Sequence, residues 1–67
     1  MVKVLERKQV FDTDNNEKGI HIVGYCTSAD TKPIEYANGS ILLETDHEDG
    51  VKCYIFNDET KEWVAQN

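Results

Sequence analysis

The residues best suited to chemistry in this 67-residue chain are an acidic loop, two histidines and two cysteines. Asp12-Thr13-Asp14-Asn15-Asn16 begins as a calcium loop does, with side-chain oxygens at positions one, three and five. Glu17 then stands where such a loop needs glycine for its sharp turn, and Val23 where it needs a bidentate Glu. The segment is therefore expected to be a turn, with any calcium binding weak. His21 and His47, with Cys26 or Cys53, have zinc-ligand chemistry, yet the chain lacks the paired Cys-x-x-Cys or His-x₃₋₅-His spacing of structural zinc sites. His21 is expected at the rim of a strand and His47 in a solvated turn. A Cys-His nucleophile pair would lack a Gly-rich oxyanion turn beside either cysteine, and acidic neighbours oppose thiolate formation. Phosphate-cradling motifs are missing, and a chain of this size is not expected to build a cleft around a carboxylate pair. No catalytic residue, metal site or cofactor is expected, and the chain reads as non-enzymatic.

Composition narrows the partners. Thirteen acidic residues against seven basic give a net charge of −6. Nucleic acid requires a basic footprint to neutralise phosphates, and an anionic membrane surface makes the same demand, so neither partner is expected. No apolar run approaches the roughly 20 residues that span a bilayer. Met1-Val2-Lys3-Val4 leads directly into Glu6-Arg7-Lys8 without a signal-peptide pattern. A cytoplasmic setting follows, with Cys26 and Cys53 as packed thiols rather than a bridge. The chain is one domain, 1–67. A domain near this size buries only about 60% of its unfolded surface. Ordering it costs on the order of 100 kcal/mol, so a second subunit or another staple is a common need.

The elements that must position these residues read as strands. Residues 40–46 and 51–57 are rich in β-branched and aromatic side chains, and His47-Glu48-Asp49-Gly50 between them ends in a turn-forming Asp-Gly. With Asp46 opposite Val51, Ile41 falls opposite Phe56 and Leu43 opposite Tyr54. Those four then share one face, and Leu42, Glu44, Val51, Cys53 and Ile55 share the other. Residues 2–11, with a charged centre, read as a long strand or a short helix, and strand is expected because 20–26 can complete a first hairpin around the turn-dense 12–19; Gly24 marks a bulge or a close contact. Residues 27–39 connect the halves; Pro33 holds Lys32 extended, and Ile34 and Tyr36 are expected to pack over the end of the core. Trp63-Val64 forms a brief fifth strand. The expected fold is all-β with little or no helix: an antiparallel meander of four to five strands, with a mini-sandwich or barrel-like sheet as variants. Its layout is an N-terminal hairpin (1–26), the connection (27–39), and a C-terminal hairpin plus short strand (40–64).

Both faces of the second hairpin carry apolar side chains, where a solvent-facing sheet would alternate more cleanly. Trp63 is expected to cover the Ile41/Leu43/Tyr54/Phe56 face. Leu42, Val51, Cys53 and Ile55 then need another layer, from the N-terminal hairpin or from another chain. The expected contact surface is Leu42, Val51, Cys53, Ile55 and Trp63, meeting a protein partner or a second copy. Two competing functions remain open: a carbohydrate- or ligand-binding module using Trp63 and the tyrosines, and an acidic inhibitor of a basic surface.

Residues 29–64 also carry a pattern: Ala29-Asp30-Thr31-Lys32-Pro33, Asn38-Gly39-Ser40, Glu44-Thr45-Asp46, Tyr54-Ile55-Phe56-Asn57 and Lys61-Glu62-Trp63. It resembles small phage and prophage proteins of Gram-positive bacteria encoded near virion structural genes. The turn departs from that pattern, since His47-Glu48-Asp49-Gly50 replaces a Thr-Gly, and Asn57 replaces an Asp. The resemblance implies a structural or accessory role and a cytoplasmic or virion-associated location. It brings no catalytic residues.

Overall fold

The structure, a computed structural model, describes residues 1–66. They form five strands and, among the described residues, no helix: β1 (Lys3–Phe11), β2 (Glu17–Cys26), β3 (Ile41–His47), β4 (Gly50–Asn57) and β5 (Glu62–Ala65). All five lie side by side in one open sheet, in chain order. The N-terminal hairpin therefore widens the sheet and supplies no second layer.

Three junctions are antiparallel and one, β2 to β3, is parallel. The expected meander is corrected there. Parallel neighbours need a crossover of a dozen or more residues, and the 27–40 connection is long enough to serve without a helix. It lies across one face and is fastened by long-range hydrogen bonds. Ala37 N donates to Ile20 O at 2.8 Å, Gly39 N to Phe56 O at 2.9 Å, and the Trp63 indole Nε1 to Pro33 O at 2.8 Å. The fully buried Ser40 hydroxyl accepts from Ile22 N at 3.1 Å and donates to Ala37 O at 2.8 Å. Ser40 thus does with its side chain what a ladder rung would otherwise do between β2 and the incoming chain.

The core sits under this connection. Ile22, Cys26 and Leu42 form its centre, with Val2, Ile20, Tyr36 and Trp63 packed against it. Phe56 is also buried, and Trp63 tilts onto it at 5.0 Å between ring centroids. Tyr36 packs as expected, whereas Ile34 is 57% exposed.

Register shifts set the faces. In the second hairpin, His47 lies opposite Gly50, in the same frame as the expected Asp46–Val51 pair. A bulge between Glu44 and His47 then shifts the ladder by one residue, so Leu42 meets Tyr54, Leu43 meets Cys53 and Ile41 meets Ile55. Because side chains alternate with period two, this single extra residue exchanges the whole β4 partner set. The expected faces are corrected accordingly: Leu42, Glu44, Tyr54 and Phe56 share the covered face, and Ile41, Leu43, Cys53 and Ile55 the other. In the first hairpin the ladder shifts between Val4 and Glu6, beside Gly24. A Cβ on Gly24 would lie 2.2 Å from Lys3 O, so only glycine lets β1 approach this closely.

The β1–β2 arm extends past the end of β3, and the molecule measures 44 × 22 × 17 Å. Its radius of gyration is 12.4 Å, against about 11 Å for a compact domain of this length. Its accessible surface is 4720 Å², where a compact monomer of this mass exposes roughly 4300 Å². The chain by itself is under-covered.

Candidate functional site

The face opposite the core is the most distinctive surface of the molecule. Strand registers align its side chains in rows across the sheet. The central row runs Glu6, Val23, Ile41, Ile55, Val64. Beside it runs Lys3, Tyr25, Leu43, Cys53, reaching Gln66, whose N–H donates to Cys53 O at 2.8 Å. On the other side Lys8 pairs with His21 and Asn57 with Glu62; between them the His21 ring nitrogen Nε2 contacts Gly39 O at 2.9 Å. Tyr25 and Val64 are 39% and 45% exposed, and Val23, Ile41, Leu43, Cys53 and Ile55 are half-buried, shielded by their row neighbours. The connection and Trp63 both lie on the other side of the sheet. Among the described residues no second layer covers these rows.

The expected contact residues divide between the two faces. Val51, Cys53 and Ile55 lie on the open side, Val51 at 49% exposure. Leu42 is 0% exposed beneath the connection, so it cannot share a surface with them; the bulge is the reason. Trp63 lies with Leu42, its ring against Phe56 and its N–H held by Pro33 O. Its ring is thus partly buried and engaged within the fold rather than presented on the open face. Val23, Tyr25, Ile41, Leu43 and Val64 complete the open face; Ile41 and Leu43 were expected on the face covered by Trp63, Tyr25 only among the aromatics of a ligand groove, and Val23 and Val64 in no contact role. Period-two alternation would have found Val23 and Tyr25 had β2 been paired with β3 rather than treated as part of a separate hairpin. Cys26 and Cys53 are thiols on opposite faces, which is why they are not bridged.

A polar cluster closes one end of the core. Lys32, brought in by the connection, hydrogen-bonds Glu44 Oε2, and the other Glu44 oxygen meets His47 Nε2 at 2.8 Å. Lys32 also sits 4.4 Å from the centre of the Tyr54 ring, within cation–π range. Glu44 is buried, and the hydrogen bonds from Lys32 and then His47 hold its carboxyl below the usual range. Burial acts to lower the Lys32 pKa, but the hydrogen bond and charge of Glu44 outweigh it and leave it raised. Nearby, Asp46 accepts from Ser28 Oγ at 2.7 Å and from Ser28 N at 3.0 Å, and Asp30 takes the N-terminal ammonium and Thr27 N. Each of these lowers the carboxyl pKa of the aspartate concerned. Burial pushes the Cys26 thiol up, away from the thiolate a nucleophile requires.

Glu44, Asp46 and His47 bring one ligand-type atom each within 4.8 Å of one another. Sequence reasoning missed this grouping because it depends on the bulge. Both Glu44 oxygens and both Asp46 oxygens already accept hydrogen bonds, and the cation paired with Glu44 is Lys32. The acidic loop is similarly occupied. Asp12 Oδ1 accepts from the backbone N–H groups of Asp14 and Asn16, both at 2.9 Å, and Lys18 lies 3.6 Å from Oδ2. Donors thus engage the Asp12 carboxylate, the first position of the calcium-like pattern, and Asn15 turns the chain at φ 69. The concavity lined by Asn38, Asn57, Asp58 and Glu59 is an open polar dent, not an enclosed cleft. No family model, curated protein or solved structure matches this chain.

Proposed function

We propose that this protein acts by contact and not by catalysis: a small structural or accessory β protein whose open sheet face docks against protein. The observation that supports this is the pair of apolar rows Val23–Ile41–Ile55–Val64 and Tyr25–Leu43–Cys53 on the side of a single-layer sheet that the chain leaves uncovered. Contiguous apolar surface of this kind marks interaction sites on small soluble proteins. The polar cluster has a structural part: it clamps the connection to β3 and so keeps the opposite face as one continuous sheet. The resemblance of residues 29–64 to phage and prophage proteins supports a role beside virion components, in the host cytoplasm or on the particle.

A photocrosslinking amino acid placed at position 55, and separately at position 13 in the solvated turn, tests the contact role in the producing cell. Position 55 should give discrete protein adducts that position 13 does not. Equal or absent labelling at the two positions would overturn it.

A further inference from the structure

We propose that the open face is closed by a second copy of the same chain, packed face to face about a two-fold axis parallel to the strands. This deepens the contact reading above and rests on it. A two-fold axis lying between two faces has two simple orientations, and the charges choose between them. With the axis along the strands, each row lies over itself reversed: β1 over the partner's β5, β2 over its β4, β3 over its own counterpart. Lys8, at one end of its row, then faces the Glu62 end of the other copy, and the Glu6 end of the central row faces Val64. The apolar middles coincide: Val23 over Ile55, Tyr25 over Cys53, Ile41 over Ile41 and Leu43 over Leu43. With the axis across the strands, β1 lies over β1 reversed. Lys3 then meets Lys8 and Glu6 meets Glu6, placing like charges together all along β1. The first arrangement is self-complementary, as an isologous interface must be. It also keeps the strand directions of the two sheets aligned, the usual geometry of a β-sandwich.

Area sets the strength. Five strands spaced about 4.8 Å apart, and three rows about 6.8 Å apart, span on the order of 480 Å² per copy. The pair therefore buries about 1000 Å², the lower bound for a specific interface. A reversible dimer is expected, dissociating in the micromolar range. It would also cover surface in which the monomer exceeds a compact chain of its mass.

Sedimentation velocity of the purified 67-residue chain, from about 1 to about 200 µM, tests this. The weight-average mass should rise from 7.7 kDa toward twice that value. Leu43→Lys places two charges at the axis and should leave a monomer throughout, with an unchanged far-UV spectrum because the side chain lies off the core; its melt should be independent of concentration, whereas that of the wild type should rise with concentration. Lys8→Glu, at an exposed site, should weaken association about fivefold, since two symmetry-related pairs turn repulsive. Adding Glu62→Lys to it should restore the wild-type constant. A wild-type chain that stays monomeric, assembly that survives Leu43→Lys, or a charge exchange that restores nothing would each overturn the two-fold. Crosslinks from position 55 separate the two failures: adducts to another protein with a monomeric purified chain sink the homodimer and leave the contact role standing. Adducts at twice the chain mass support both.

Discussion

Gly24→Ala tests the packing of β1 most directly. The added Cβ would sit 2.2 Å from Lys3 O and 3.2 Å from Val4 Cα, both backbone atoms that cannot rotate away. Ordinary carbon–oxygen contact needs about 1 Å more, so the N-terminal end of β1 must move off β2 by that amount. Hydrogen bonds near 2.9 Å do not survive such a shift. The rungs at Lys3–Tyr25 and Val4–Gly24 would open, costing about 1 kcal/mol for each bond lost. Val2 would lose part of its contact with the Ile22–Cys26–Leu42 centre, a further loss of about 1 kcal/mol. Alanine's lower unfolded-state entropy offsets less than about 1 kcal/mol of this. The net expectation is a destabilisation of about 2–3 kcal/mol, more than half of what a core this small supplies. Urea unfolding followed by Trp63 fluorescence measures it. Hydrogen exchange should show the amides of Val4 and Glu6 losing protection before those of β3 and β4. A variant within about 0.5 kcal/mol of wild type, with β1 amides still protected, would refute the close approach on which this rests.

The remaining predictions concern the connection and its clamp. Ser40→Ala leaves the buried Ile22 N–H without its acceptor and should cost about 1–3 kcal/mol, with faster exchange at the Ile22 amide; an unchanged exchange rate would remove Ser40 from the β2–β3 junction. Lys32→Met strands the Glu44 carboxylate, whose side chain is only 5% exposed, and should cost about 3 kcal/mol near neutral pH. Adding Glu44→Gln should recover part of that loss, and a double variant no more stable than Lys32→Met would argue against a buried ion pair. The carboxyls of Glu44, Asp12, Asp30 and Asp46 all titrate below their ordinary values when folded. The unfolded chain therefore takes up protons first as pH falls, and the stability these groups contribute is present above about 4.5 and lost below it. Tm should be steady down to about pH 5 and then decline; a rise on acidification would mean that relief of the −6 net charge outweighs the four local partners.

Much of the local structure was legible in the sequence. A turn within 12–19, both hairpins, the brief fifth strand at Trp63-Val64 and the special position of Gly24 follow from turn chemistry and from the clustering of β-branched and aromatic residues; the turn is shorter than expected, since β2 already begins at Glu17. Each depends on neighbours within a few residues, where backbone preferences act. Even the hairpin frame at Gly50, whose φ of 125 suits glycine, was fixed locally. The polar cluster was not legible, because Lys32 and Glu44 lie 12 residues apart and meet only once the connection crosses the sheet. The same holds for the surface: Leu42 and Ile55 are both apolar strand residues, and nothing local assigns them to opposite faces.

What the sequence determined by itself is an all-β chain with these strands and turns. What only the tertiary structure decided is the direction of β3, the one-residue bulge before His47 and hence which apolar residues are covered. Strand direction at the junction depends on where 27–40 can be fastened, through bonds such as Ser40 to Ile22 and Trp63 to Pro33 that span 18 and 30 residues. The bulge then acts through the period-two alternation of a strand, so that one unpaired residue turns a core face into an open one.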